Sequence, residues 1–203
     1  MKEPYYILEK KQLEKISNPK KLLLHSCCAP CSSHVISYLT NYFDITILYY
    51  NPNISPIEEY NKRKEEQKRL IQSIPKKNKL EIIDCDYDNE IYEEKIKGYE
   101  ECPERGARCT ICFKLRLEKT ASIAKENGFD MFCTTLTVSP YKNTNLINEI
   151  GEELAKEYNI AWLYSDFKKE DGYKHSIELS KKYNLYRQDY CGCKYSKRKN
   201  VQD

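Results

Sequence analysis

The segment at residues 22–31, LLLHSCCAPC, constrains the fold most, because an apolar run ends there in closely spaced cysteines. A run of three leucines is typical of a buried strand. In α/β proteins the loop after such a strand faces a ligand-binding crevice. Cys27, Cys28 and Cys31 place three soft metal ligands in that loop. We therefore interpret the segment as half of a metal site and expect its other thiols downstream.

Cysteine is unusually frequent, with ten residues in a chain of 203. In a small secreted domain this would indicate disulfides, but the chain is longer and its N-terminus lacks the pattern of a signal peptide. It also has no apolar run of about 18 residues, so we expect a cytoplasmic protein without a membrane anchor. Clustered cysteines in a reducing compartment favour metal or redox chemistry. A net charge of only +3 does not by itself indicate nucleic acid.

Strand-like and helix-like segments alternate along the chain. The predicted strands are residues 21–25, 44–50, 80–84, 131–136 and 160–164. The predicted helices are residues 8–16, 32–42, 57–73, 108–127, 145–158 and 176–183, with residues 86–101 helical in part. Gly128 is expected to end the fourth of these helices. The alternation favours an α/β fold with a mostly parallel, Rossmann-like sheet and helices on both faces.

The chain shows no linker, repeat or low-complexity segment, so we expect a single domain over residues 1–203. Within it we expect an N-terminal lead-in at 1–20, a catalytic α/β region at 21–196 and a basic tail at 197–203.

Two further cysteine pairs lie downstream, Cys109-x-x-Cys112 and Cys191-x-Cys193. Two cysteines one turn apart at the start of a helix converge on one metal, and the helix N-terminus lowers their pKa. Together with the Cys-x-x-Cys pair of the first segment, Cys109 and Cys112 supply the four sulfurs of a zinc site or a [4Fe–4S] cluster. The spacing does not distinguish zinc from iron–sulfur. The Cys-Gly-Cys pair is left over and favours a redox role or a second metal, because a disulfide across one residue is strained.

The remaining cysteines and histidines are given no chemical role. Cys133 and Cys85 are interpreted as buried residues within and at the end of strands. His25 directly precedes the thiols and is interpreted as a strand-end histidine hydrogen-bonded within the protein. No glycine-rich phosphate loop is present, so a nucleotide cofactor is not indicated. The residues without any assignment are Cys102, His34 and His175.

Longer motifs surround the cysteines. They are HSCCAPC at 25–31, YNPNI at 50–54, Glu59-Tyr60 with Arg63, RCTICFKLRL at 108–117, TTLTVSPYKN at 134–143, DFKK at 166–169 and YRQDYCGC at 186–193. Over residues 21–196 this set resembles the cobalamin-independent epoxyqueuosine reductases. Cys102 and Arg105 depart from the resemblance, because the family usually has Glu and Gly at these positions.

The resemblance implies the last step of queuosine synthesis, in which the epoxide oxygen is removed as water at the wobble position of the tRNA anticodon. It implies a sheet similar to that of nucleotide α-hydrolase-like domains that act on tRNA. It also implies a redox-active pair formed by Cys191 and Cys193, and an additional iron for which Cys31 and that pair are ligands. The implied [4Fe–4S] ligands are Cys27, Cys28, Cys109 and Cys112.

Removal of an epoxide oxygen as water requires two electrons and two protons. We therefore expect epoxyqueuosine-bearing tRNA and a low-potential electron donor, such as ferredoxin or flavodoxin, as partners. The expected proton donors are Lys142, Asp166, Asp189 and Tyr190, of which Asp189 and Tyr190 are assigned to catalysis. The expected substrate contacts are Lys142, Asn143, Lys168, Lys169 and Arg187, with phosphate contacts in residues 194–199.

Two hypotheses from other classes stay open on the sequence. A zinc-stabilised nucleic-acid-binding domain would need only four of the thiols and no catalysis. A thioredoxin-like thiol exchanger would use Cys28 and Cys31, and would leave the downstream pairs without a purpose.

Overall fold

The computed structural model describes residues 3–196, which fold around one five-stranded sheet. The strands are β1 (Lys20–His25), β2 (Phe43–Tyr49), β3 (Leu80–Asp84), β4 (Met131–Thr134) and β5 (Ala161–Trp162). They lie in the order β3-β2-β1-β4-β5, and every neighbouring pair is parallel. The prediction of an α/β fold with a parallel, Rossmann-like sheet is confirmed. The predicted basic tail at 197–203 lies outside the described residues.

Helices connect these strands and also precede the first and follow the last of them. They are α1 (Tyr5–Leu13), α2 (Ala29–Leu39), α3 (Ile57–Ser73), α4 (Asn89–Lys95), α5 (Ala107–Glu126), α6 (Thr144–Tyr158) and α7 (Gly172–Lys182), with 3-10 helices at Thr135–Val138 and Lys194–Ser196. Gly128 follows α5 with a φ of +66°, as expected for a residue that ends a helix in the left-handed region. Within residues 3–196, none of the helices combines the length and the apolar character needed to cross a membrane.

The sheet separates two apolar cores, because successive side chains of a strand point to opposite faces. Leu22 and Leu24 contact the core that β1 shares with α2 and α3, whereas Leu23 contacts the core shared with α5 and α6. All three leucines are fully buried, and each such burial stabilises the fold by about 1.5–3 kcal/mol. Helices on both faces therefore explain why β1 is a continuous apolar run, and this part of the prediction is also confirmed.

Two strands are shorter than predicted. The prediction placed the end of β4 at residue 136, but the strand ends at Thr134. The Thr134 hydroxyl oxygen accepts a hydrogen bond from the Leu136 backbone N–H at 3.2 Å, and this bond starts a 3-10 helix. The fifth strand was predicted over residues 160–164. The observed β5 consists only of the two residues that pair with β4, with Ala161 opposite Met131 and Trp162 opposite Phe132.

The order of the strands creates a crevice beside the first cysteine segment. From β1 the chain runs through α2 to β2 on one side, whereas β4 lies on the other side of β1. Ligands of open α/β sheets bind where the strand order reverses in this way, outside the carboxyl ends of the strands. The Cys27 backbone N–H donates to Thr135 Oγ1 at 3.3 Å and so joins the loops that follow β1 and β4.

Candidate metal centre and active site

Three thiols meet at the carboxyl end of β1. The Sγ atoms of Cys27, Cys28 and Cys31 lie within 4.8 Å of one another, and those of Cys27 and Cys28 are 3.8 Å apart. Cys28 is the residue before α2, and Cys31 lies in the first turn of that helix. Hydrogen bonds from the Cys28 and Cys31 thiols hold the pKa of Cys27 well below its usual value. In residues 3–196 no other three His, Cys, Asp or Glu side chains bring their ligand atoms so close together.

Cys109, Cys112 and Cys193 form a second thiol group. They line a small cavity of about 10 Å³ at the start of α5. The Tyr92 hydroxyl oxygen lies 3.2 Å from Cys193 Sγ, and burial raises the pKa of Cys112 to about 12. All ten cysteines are free, so Cys191 and Cys193 are not bonded to each other.

A larger cavity of about 220 Å³ opens onto the first thiol group. Several residues predicted from the sequence meet in its walls. Those lining it are Cys27, Cys28, Cys31, Lys142, Arg187, Asp189, Tyr190 and Cys191. Cys191, Lys142 and Arg116 line both this cavity and the small one. Cys191 therefore lies at the boundary between the two thiol groups.

Arg116 and Lys142 bring positive charge to this boundary. Arg116 is only 1% exposed, its Nε donates to the Cys112 carbonyl oxygen at 3.2 Å, and its buried Nη2 has no hydrogen-bond partner. Lys142 Nζ donates to Cys191 Sγ at 3.0 Å and lies 3.7 Å from the Glu104 carboxylate. Although burial favours the neutral thiol, the charges of Lys142 and Arg116 outweigh it and lower the pKa of Cys191. The surroundings of Cys191 thus favour its negatively charged thiolate.

The backbone at Gly192 sets the position of its two cysteine neighbours. Gly192 has a φ of +101°, a conformation that side chains disfavour, and its carbonyl oxygen accepts the Ser55 backbone N–H at 3.0 Å. Arg63 Nη1 donates to the Cys191 carbonyl oxygen at 3.2 Å. A Cβ added at Gly192 would lie 2.9 Å from Arg63 Nη1 and 2.9 Å from Ile54 Cγ1. Only glycine fits this turn without a shift of its neighbours.

Arg63 and Arg116 were not predicted as site residues, although both lie in the motifs around the cysteines. Arg63 is 2% exposed, lines the larger cavity and pairs with Glu59 at 2.6 Å, while its Nη2 has no partner. A sequence signal for both existed, because each lies on the buried stripe of its helix. The stripe residues are Tyr60, Arg63, Gln67, Leu70 and Ile71 in α3, and Phe113, Arg116, Leu117, Thr120 and Ala121 in α5.

His25 and the spare cysteines behave largely as expected. His25 Nε2 lies 3.1 Å from the Tyr50 carbonyl oxygen and Nδ1 lies 2.8 Å from Thr134 Oγ1, so both ring nitrogens are satisfied. Burial lowers the pKa of His25 to about 3, which keeps the ring neutral. Cys133 is fully buried, as predicted. Cys85 is only partly buried, because it follows the edge strand β3, and burial raises its pKa to about 11.

Four other predicted residues lie away from the larger cavity. Asn143 Oδ1 accepts the Leu146 backbone N–H at 3.2 Å and so caps α6. Lys168 pairs with Asp166, and Lys169 lines a separate cavity. None of the four lines the thiol cavity, and Asn143 already has a local structural partner.

The sequence profile described as "Epoxyqueuosine reductase QueH" matches residues 22–199. Curated proteins with that name are similar over most of their length. The one from Streptococcus pyogenes serotype M1 is 43% identical over 185 residues, 90% of this chain and 72% of that protein. The one from Haemophilus influenzae is 44% identical over 200 residues, 97% and 80% of the two chains. The one from Thermotoga maritima is 33% identical over 178 residues, 86% and 89%.

Proposed function

Because the chain belongs to the QueH family of epoxyqueuosine reductases and is thus an oxidoreductase, we propose that it reduces epoxyqueuosine in tRNA by a cobalamin-independent, iron–sulfur route. In this reaction both carbon–oxygen bonds of the epoxide break and a carbon–carbon double bond forms. Two electrons from a low-potential donor and two protons convert the oxygen to water. We place the reaction in the cytoplasm, with ferredoxin or flavodoxin as the donor.

We propose that two cysteines of the first thiol group and two of the second hold a [4Fe–4S] cluster. Its proposed ligands are Cys27, Cys28, Cys109 and Cys112. Cys31, with Cys191 and Cys193, is then available to an additional iron. The donor set fits such anionic groups, because thiolates are the ligands of iron–sulfur clusters. Seven cysteines line the two cavities, more than the four that a structural zinc needs, and this number disfavours the zinc alternative.

The observation that carries this proposal is the buried positive charge beside the thiols. Burying an unpaired guanidinium costs several kcal/mol unless negative charge compensates it. No carboxylate of residues 3–196 forms an ion pair with Arg116. Thiolate sulfurs bound to a metal supply the missing negative charge.

A [4Fe–4S] cluster held by these cysteines would supply electrons one at a time at low potential. The protein's own side chains bind the substrate and move protons. Lys142 holds its ammonium group against Cys191 at the cavity wall, with the pKa of the lysine raised because the thiolate charge outweighs burial. A protonated Lys142 can donate a hydrogen bond or a proton to the developing alkoxide. We propose Asp189 and Tyr190, which also line the cavity, as sources of the second proton.

The substrate reaches this cavity only if the wobble nucleoside leaves the anticodon stack, as in other enzymes that modify a base. Arg187 lies at the cavity and contacts the Tyr173 hydroxyl at 3.3 Å, so it is a proposed substrate contact. Lys168 and Lys169 lie outside the cavity and remain proposed contacts to more distant phosphates.

The proposal is tested by purifying the protein without oxygen and recording its visible absorbance and its iron and sulfide content. The protein is then incubated with a reductant and epoxyqueuosine-bearing tRNA, and the nucleosides are analysed by mass spectrometry. We expect a brown protein and loss of one oxygen atom from the nucleoside. A colourless protein with one zinc per chain and no conversion would instead support the zinc-stabilised alternative.

A further inference from the structure

An exposed tyrosine lies at the mouth of the thiol cavity. Tyr141 is 59% exposed, more than any other large hydrophobic side chain of residues 3–196, and it lines the cavity. Its neighbour Lys142 is largely buried and reaches Cys191. One short loop therefore presents an exposed aromatic ring at the mouth of the cavity and, from the next residue, an ammonium group to the thiol of Cys191.

Arg105 supports Tyr141 from the facing loop. Its Nε donates to the Tyr141 carbonyl oxygen at 3.1 Å, and its guanidinium carbon lies 5.8 Å from the centre of the Tyr141 ring. Arg105 adopts a φ of +75°, which non-glycine residues rarely adopt, and its backbone N–H donates to Cys109 Sγ at 3.3 Å. An exposed cation and an exposed ring, carried by two facing loops, are therefore held together at the mouth of the thiol cavity.

We propose that Tyr141 and Arg105 form a stacking platform for an unpaired base of single-stranded RNA, next to the nucleotide that enters the cavity. The inference rests on the proposed function, because it assigns a subsite to that substrate. Exposed aromatic rings bind unpaired bases by stacking, and arginine adds cation–π and phosphate contacts. The platform holds the neighbouring base while the cavity takes the flipped one.

A protein electron donor is the other class of partner that an exposed tyrosine could contact. The charge of Arg105 and the position of Tyr141 at the substrate entrance favour the nucleic acid. When a small-molecule reductant replaces the protein electron donor, the assay no longer contains that partner. An effect of Tyr141 on RNA binding can then be distinguished from an effect on the electron donor.

The experiment measures binding of a labelled anticodon stem-loop RNA to the holoenzyme by fluorescence anisotropy. We expect Tyr141→Ala to raise the Kd about tenfold, because one stacked base contributes a factor of this order. Tyr141→Trp, which keeps an aromatic face, should recover the affinity. Tyr99→Ala is the matched control, since Tyr99 is 43% exposed and does not line either thiol cavity.

An unchanged Kd for Tyr141→Ala would overturn the platform, and so would an equal loss in Tyr99→Ala. A loss of turnover that appears only with a protein electron donor would assign Tyr141 to that partner instead. If the wild-type holoenzyme binds the RNA with the expected tyrosine dependence but does not reduce epoxyqueuosine with a small-molecule reductant, the proposed function fails while the platform stands.

Discussion

Substitution of Gly192 by alanine tests whether the C-terminal turn positions the thiols that we assign to redox chemistry. The turn is held by two hydrogen bonds, from Ser55 to the Gly192 carbonyl oxygen and from Arg63 to the Cys191 carbonyl oxygen. An alanine Cβ would approach Arg63 and Ile54 to 2.9 Å, closer than real Cβ contacts. Both of these neighbours are buried, so neither can move without disturbing the loop after β2 or α3.

The magnitude follows from the backbone and from these contacts. A φ of +101° costs a non-glycine residue about 1–3 kcal/mol. If the turn moves to relieve the close contacts, the hydrogen bond from the charged Arg63 is lost instead, which costs about 1.5–3 kcal/mol. The variant therefore loses stability in either arrangement, and the close contacts with the buried side chains of Arg63 and Ile54 favour the displaced one. A displaced Cys191 no longer meets Lys142, so we expect turnover to fall at least about tenfold.

Gly128→Ala is the matched control. Gly128 also has a positive φ, +66°, but a Cβ there meets no heavy atom within 4 Å, and the residue ends α5 away from both cavities. This variant carries backbone strain of about 1–2 kcal/mol without the contacts. Urea denaturation, visible absorbance, sulfide content and turnover are measured for both variants. The visible absorbance and the sulfide content of the cluster should stay normal in both, because the proposed cluster ligands lie on other segments. Wild-type turnover in Gly192→Ala, or equal turnover in the two variants, would refute the reasoning.

Three further predictions concern the thiols, the buried charge and a titrating carboxyl. Cys109→Ala should abolish the visible absorbance of the cluster, whereas Cys191→Ala should keep it and lose turnover; loss of absorbance in both would contradict the proposed division of the thiols. Arg116→Met should lower the reduction potential of the bound cluster by removing a neighbouring positive charge, and Arg116→Lys should largely restore it in a spectroscopic redox titration. Burial raises the pKa of Glu9 to about 8, so the folded protein keeps a proton that the unfolded chain loses above pH 4.5. The free energy of unfolding should therefore fall as pH rises from 4.5 to 8, by up to about 1.4 kcal/mol per pH unit, and urea titrations of Glu9→Gln should show a flatter dependence.

The fold was largely predictable because burial on two faces leaves a strong sequence pattern. The leucines of β1 and the helices on either side of it are visible as apolar runs and periodic stripes. The end of β4 was not predictable from hydrophobicity, because residues 135 and 136 continue the apolar and β-branched run. A single side-chain hydrogen bond, from the Leu136 backbone to Thr134, decides where the strand stops.

The candidate site was predictable in its thiols and less so in its charges. Cysteines in short-spaced groups are rare enough to stand out, and the segments that carry them line adjoining cavities. Buried arginines are harder to recognise, because arginine in a helix is usually solvated. Asn143 illustrates the limit of a motif: its side chain caps α6, and the motif alone cannot separate a cap from a ligand contact, so its contact with the substrate stays a prediction.

Two helix N-termini explain why this crevice can hold anionic sulfur. Cys28 and Cys31 lie at the start of α2, on one face of the sheet, and Cys109 and Cys112 lie in the first two turns of α5, on the other. Each helix presents the positive end of its dipole to these sulfurs. In related folds the same crevice receives phosphates at a glycine-rich loop, which this chain lacks. The positive ends of the two helices and the charges of Arg116 and Lys142 therefore give the crevice a preference for negative charge, and in this chain cysteine thiols face it in place of a phosphate.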